Sequence, residues 1–169
     1  MRVLGLDLGV HVGWQLLDGQ RQRQHGTFVL PPRQGVDDFA TRAVALYDWL
    51  GVKLDQFNPA LVAFEAPLVP VAGLQEKLES QAHVVRGLIV LAGVVELVVA
   101  LRNRRLLPVH RARCVEVNVQ RAKSQLSGNQ WAKKREMIAA AVRRGYHVAT
   151  EHEADACGVA LAALDHVGA

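Results

Sequence analysis

The sequence predicts a mixed α/β sheet layered by helices. Two observations carry that reading. Three strand-like runs joined by tight turns open the chain, and after them apolar strands alternate with segments of helical periodicity before two helices close it.

Residues 2–7, Arg-Val-Leu-Gly-Leu-Asp, form a short apolar run ending in an acid. Residues 8–13 are turn-like, and Trp14-Gln15-Leu16-Leu17 begins a second strand that reaches Asp18-Gly19. Asp-Gly readily adopts the positive φ that a tight hairpin needs, so residues 22–30 are predicted to return antiparallel. Pro31-Pro32 stops that strand, because proline has no N–H for the ladder. In residues 37–54, Phe39, Ala43, Leu46, Tyr47 and Leu50 recur at three- and four-residue spacing, the mark of an amphipathic helix. Asn58-Pro59 ends that segment, and residues 60–65, Ala-Leu-Val-Ala-Phe-Glu, form a further apolar strand closing on an acid.

A proline-punctuated loop, residues 66–73, leads into a long helix over about 74–102. Its second half is apolar nearly all round, so it must be covered on more than one side, by the sheet and by a second subunit. Residues 106–119 read as a fifth, valine-rich strand, 124–130 as a polar loop, and 131–144 as a basic helix capped by Gly145. The last helix is expected over about 153–166. No internal repeat, low-complexity tract or linker divides residues 1–169, and the reading is a single domain.

Half the residues are hydrophobic and 21% are charged, enough apolar surface to bury a core. Two cysteines, Cys114 and Cys157, exclude a disulfide scaffold and a four-cysteine zinc site. They read as small core residues of a protein in a reducing, cytoplasmic compartment. The opening residues read as strand, turn and strand rather than a cleavable leader. The apolar stretch 87–101 is interrupted by Glu96 and preceded by Arg86, so it is expected to be too short and too charged for a membrane span.

The net charge of +4 hides an asymmetry. Residues 102–144 hold twelve Lys/Arg against two acids, a local excess of +10, and the remainder carries −6. Such a block is either a solvated face or the footprint of a polyanion such as nucleic acid.

Asp7 and Glu65 each close an apolar strand, and if those strands are neighbours both carboxylates emerge at the sheet edge where open α/β sheets hold their sites. The stretch Thr150-Glu151-His152-Glu153-Ala154-Asp155 opens the final helix, and His152 and Asp155, three apart, share a face. Three carboxylates and an imidazole converging this way suit hard divalent cations of the kind that serve phosphoryl transfer. Acids in a helix's first turn also favour its dipole, so Glu151, Glu153 and Asp155 read equally as helix starters. No side-chain nucleophile stands out: Ser80, Ser124 and Ser127 lack a triad signature, and both HExxH and the Walker A loop are absent.

Taken together, Leu4-Gly5-Leu6-Asp7-Leu8-Gly9 with Gly13-Trp14, Phe57-Asn58-Pro59 through Ala63-Phe64-Glu65, residues 123–134, and His152-Glu153-Ala154-Asp155-Ala156 resemble the RuvC-type Holliday-junction resolvases of the RNase H-like nuclease superfamily. The stretches lie in that family's order. The resemblance implies an RNase H-like five-stranded sheet, three antiparallel strands then two parallel, flanked by helices. It further implies that Asp7 bridges two Mg²⁺ or Mn²⁺ ions, that Glu65 and Asp155 each bind one, and that His152 is a metal ligand or orients the attacking water. Lys123 and Lys134 match two family lysines near the scissile phosphate, five residues before and six after Gly128. A homodimer acting on a four-way DNA junction is implied too, with the helix over 74–100 as its interface.

Two departures stand out. Leu8 replaces the proline of the family's Gly-x-Asp-Pro-Gly turn, and Ala66-Pro67-Leu68-Val69-Pro70 lacks the aromatic that helps relatives open the junction, leaving Leu68 or Val69 as smaller wedges. The expected function is a metal-dependent crossover-junction endodeoxyribonuclease. Two alternatives share the fold: a nuclease on branched DNA or RNA with little junction selectivity, and a non-catalytic junction-binding protein.

Overall fold

The computed structural model describes residues 1–35, 38–67 and 75–168. Strands β1 (Arg2–Asp7), β2 (His11–Asp18), β3 (Arg21–Val29), β4 (Leu61–Glu65) and β5 (Arg113–Val117) form one sheet in the order β3-β2-β1-β4-β5. β1, β2 and β3 pair antiparallel, while β4 runs parallel to β1 and β5 parallel to β4. This is the mixed RNase H-like sheet that the sequence predicts. The Asp18-Gly19 turn works as expected: Gly19 takes a φ of 58° and returns β2 into β3.

Alternation along the strands separates two cores. Leu4, Leu6, Val62 and Phe64 face α1 (Ala40–Phe57) and α2 (Gln75–Arg104). Val3, Leu61 and Ala63 face α3 (Val119–Ser127), α4 (Lys134–Arg143) and α5 (Glu151–Gly168). The sheet is therefore the middle layer of three.

The region after α2 differs from the sequence reading. Residues 106–119 are not one strand: Pro108 starts a short 3-10 turn, Pro108–His110, and pairing is confined to Arg113–Val117. Asn118 then caps a helix, its Oδ1 accepting the backbone N–H groups of Gln120 and Arg121. The polar loop expected over 124–130 is thus largely the end of α3, whose Ala122 and Leu126 are buried and whose stop is Gly128 at φ 78°. Residues 131–133 precede α4 rather than belonging to it. Position 37, expected to start α1, and Leu68 and Val69 fall outside the described residues.

Within α2, the 23 residues Ala82–Arg104 contain an 18-residue window of mean hydropathy 2.4, long and apolar enough by length and composition to cross a membrane. That corrects the expectation of a stretch too short to span. Its inner face, Leu91, Ala92, Val95, Val98 and Val99, packs into the core with α1 and the sheet. Its outer face leaves Val84, Ile89 and Leu97 about half exposed. Cys157 is buried and Cys114 half-buried, both free thiols.

Candidate active site

The site begins with strand register. β1 and β4 are neighbours with Leu6 opposite Phe64, so the next residues, Asp7 and Glu65, leave the sheet side by side. The third element, α5, lies directly on β1 and β2 because two glycines allow it. A Cβ at Gly5 would stand 2.4 Å from the Ala156 carbonyl oxygen, and one at Gly13 would stand 2.0 Å from that of His152. Gly13 is paired with Asp7 across the β1–β2 ladder, so this seam seats the first turn of α5 over the end of β1. His152 Nδ1 consequently lies 2.8 Å from Asp7 Oδ2.

The electrostatics are those of crowded carboxylates. Burial, reinforced by the charges of Asp155 and Glu151 against an opposing Lys134, pushes the Asp7 carboxyl up to about 8. Burial and the charges of Asp7 and Asp155 push Glu65 up to about 7, with Lys123 opposing. Asp155 is raised chiefly by burial, while Lys123, His152 and Lys134 pull it down. The residues singled out in the sequence thus act on one another at one end of the sheet.

Both lysines arrive by helix packing. Gly158 lets α5 meet α3 closely, since a Cβ there would stand 2.8 Å from the Ala122 carbonyl oxygen; Lys123 is the next residue on α3. Lys134, first residue of α4, forms an ion pair with Glu151, which holds the ammonium above its ordinary value and the carboxyl below it. Glu151 Oε1 is also 3.9 Å from His152 Nε2.

Three features were not foreseen from the sequence. His11, at the start of β2, stacks on His152 with centroids 5.4 Å apart and planes at 20°. Nothing in the sequence marks it, because the contact depends on the register of β2. The pairing of Glu151 with Lys134 is likewise invisible before α4 and α5 are placed. Glu153 faces away from the cluster. Its carboxylate accepts the backbone N–H of Ala149 at 2.9 Å and the Thr27 hydroxyl at 3.1 Å, and lies 2.7 Å from His25 Nδ1. Burial opposes its ionisation, but these hydrogen bonds outweigh burial and hold it below its usual range. Thr150 Oγ1 accepts the Glu153 N–H, and the Thr-x-x-Glu spacing that signals such a cap was there to be read.

Among the described residues no three His, Cys, Asp or Glu side chains are arranged as a ready-made cation site. The chemistry of the donors nevertheless fits a hard divalent ion. Asp7, Glu65 and Asp155 are carboxylates whose charges oppose one another in a buried setting, and a cation between them would relieve that cost.

The mixed five-stranded sheet in the order β3-β2-β1-β4-β5, with helices on both faces, is an RNase H-like fold of the RuvC type. A structure of Thermus thermophilus RuvC matches with a TM-score of 0.68 at 19% identity, covering 99% of this chain and 97% of its own. Thermus thermophilus RuvC in complex with a Holliday junction substrate matches at 0.66 and 20% identity, over 96% and 92% of the two chains. The yeast mitochondrial Holliday junction resolvase Ydc2 matches at 0.62 and 16% identity, over 96% and 77%. No protein-family model and no curated protein sequence matches this chain. At these identities the likeness is one of fold.

Proposed function

We propose that this chain is a divalent-metal-dependent endonuclease that resolves four-way DNA junctions. The observation that carries the reading is the gathering of Asp7, Glu65, His152 and Asp155 with Lys123 and Lys134 at one end of a RuvC-type sheet. A structure sharing the fold holds a Holliday junction substrate, which supports the choice of DNA.

In this reading Asp7, Glu65, Asp155 and the His152 imidazole hold Mg²⁺ or Mn²⁺. Two such ions, when bound, supply an activated water and charge stabilisation for the leaving oxygen of a phosphodiester. The protein's own groups do the rest. Lys123 and Lys134 offset phosphate charge that grows towards the transition state. Asp7 fixes the His152 ring through Nδ1, and His11 supports the ring's face, so Nε2 is presented in one orientation. Glu151 holds Lys134 until a phosphate competes for it. Two copies joined through the outer face of α2, where Ile89 and Leu97 are exposed, would cut two symmetry-related strands.

The test is incubation of the purified protein with an immobile synthetic junction, with and without Mg²⁺ or Mn²⁺, followed by mapping of the nicks. Paired nicks in symmetry-related strands, only with metal, are expected. Equal cutting of flap, three-way and RNA-containing duplexes would replace junction resolution by a broader nuclease activity. Junction binding without nicks under either metal would leave a binding protein.

A further inference from the structure

Trp131 is the most exposed aromatic side chain among the described residues. Of the three tryptophans, Trp14 is 7% exposed and packs against Trp49 and Phe57, while Trp49 is half-buried and stacks on Phe28. Trp131 is 71% exposed. An indole represents a large apolar area whose natural resting place is a core or a partner.

The turn that presents it is well anchored. Asn129 Oδ1 accepts the Trp131 N–H at 3.0 Å, the Asn129 carbonyl accepts the Ala132 N–H at 3.1 Å, and Ala132 is buried. The indole therefore stands out from a fixed backbone rather than from a loose loop. Its surroundings are cationic, since Lys133, Lys134 and Arg135 follow it and all three are exposed. Lys134 also places it relative to the acidic cluster, because that lysine pairs with Glu151 beside His152. Three residues of chain span at most about 11 Å, so the indole stands on the same short stretch of chain as Lys134.

We propose that Trp131 is a stacking platform for an unpaired nucleobase of the DNA strand whose phosphate lies at the acidic cluster. Every base has a π-face, so an exposed indole beside phosphate-binding cations takes an unstacked base without reading its sequence. Unpaired or readily unstacked bases occur at a branch point, and the loop after β4 has no aromatic of its own up to its last described residue, Pro67. The inference rests on the nuclease reading above and adds to it a contact that holds the displaced base.

The test uses the full-length chain, as wild type, Trp131→Ala and Trp131→Phe, titrated with an immobile four-way junction without divalent metal. A second junction carries abasic sites in place of the bases around the branch point. Tryptophan emission and binding affinity are read together. Junction binding is expected to quench wild-type emission, and Trp131→Phe to remove most of that quench, because Trp14 is buried and Trp49 is half-buried and stacked on Phe28. Trp131→Ala should bind on the order of tenfold more weakly, while Trp131→Phe stays within about threefold of wild type. The abasic junction should bind wild type as weakly as the intact junction binds Trp131→Ala, a comparison that holds even if the alanine variant folds poorly.

Equal affinities for all three proteins with unchanged emission would overturn the inference while leaving the nuclease reading intact, provided wild type still nicks the junction. Loss of self-association in Trp131→Ala with undiminished DNA affinity would assign the indole to a protein interface and overturn it too. A wild-type protein that neither binds nor cuts any branched DNA would remove the nuclease reading itself, and this inference with it.

Discussion

In the proposed metal site Asp7 would meet two opposed demands: it would have to be charged to attract a cation, yet it is buried beside other acids. Because its carboxyl is raised from 3.8 to about 8, and that of Glu65 from 4.5 to about 7, the folded protein binds these protons more tightly than the unfolded chain does. The stabilisation this gives is fully present below about pH 4 and is lost as pH rises towards 8. Without metal, the melting temperature of wild type should therefore fall across that window relative to Asp7→Asn, which has no proton to lose. Added Mg²⁺ should raise the wild-type value most at pH 8. Thermal denaturation in a chelator checks this, and parallel profiles for the two proteins would refute it. In the nuclease reading, Asp7→Asn should lower cleavage at least about a hundredfold while leaving junction binding largely intact, measured as nicking rate against gel-shift affinity. Undiminished nicking would take Asp7 out of the mechanism.

At the scale of elements, the Gly5–Gly13 seam with α5 decides where His152 stands. Gly13→Ala puts a methyl 2.0 Å from a backbone oxygen that has no side-chain freedom, so α5 must lift. Destabilisation of about 1–3 kcal/mol is expected, with loss of cleavage beyond what that stability change accounts for. A wild-type melting curve and cleavage rate for this variant would show that the seam does not position the helix. The same scale shows what the sequence discloses. β1, β2, β4 and α5 were legible because alternation, an Asp-Gly turn and terminal acids are local signals. α3 was not: Val115, Val117 and Val119 look like one strand, and only the Asn118 cap, two local hydrogen bonds, divides strand from helix. Asp7, Glu65, His152 and Asp155 could be named as candidates from residue type and position. Their neighbours His11 and Glu151, and the pairing of Glu153 with His25 away from the cluster, depend on contacts between elements distant in the chain, which no local pattern encodes.

At the scale of the whole molecule, eight of the twelve cations in the basic block fall into two separate regions. Lys123, Lys133, Lys134 and Arg135 lie on or beside α3 and α4 near the acids. Arg104, Arg105, Arg111 and Arg113 surround the entry to β5, the opposite end of that strand from Val117, which pairs with Glu65. Replacing Lys133 and Arg135 with alanine should flatten the dependence of log affinity on log salt by about 2, one unit per lost phosphate contact. Replacing Arg104 and Arg105 should leave the slope nearly unchanged, and titrations at several salt concentrations separate the two outcomes. Oligomeric state belongs to this scale as well. Ile89→Glu places a charge on the outer face of α2, half exposed in the single chain, and should convert a dimer to monomers in sedimentation while leaving the helix folded. A dimer unaffected by that charge would move the interface elsewhere.

The close approach of α5 to the sheet also bears on how far such a chain can drift and still fold this way. The seam is made of hydrogen atoms and close backbone, Gly5 beneath Ala156 and Ala160 and Gly13 beneath His152, with Gly158 serving α3. The remaining interior accepts apolar exchanges that keep total volume and pattern, so many of its letters can change while the geometry stays. A few small residues at fixed intervals are then a more durable signature of descent than overall similarity, and a better pattern with which to look for remote kin.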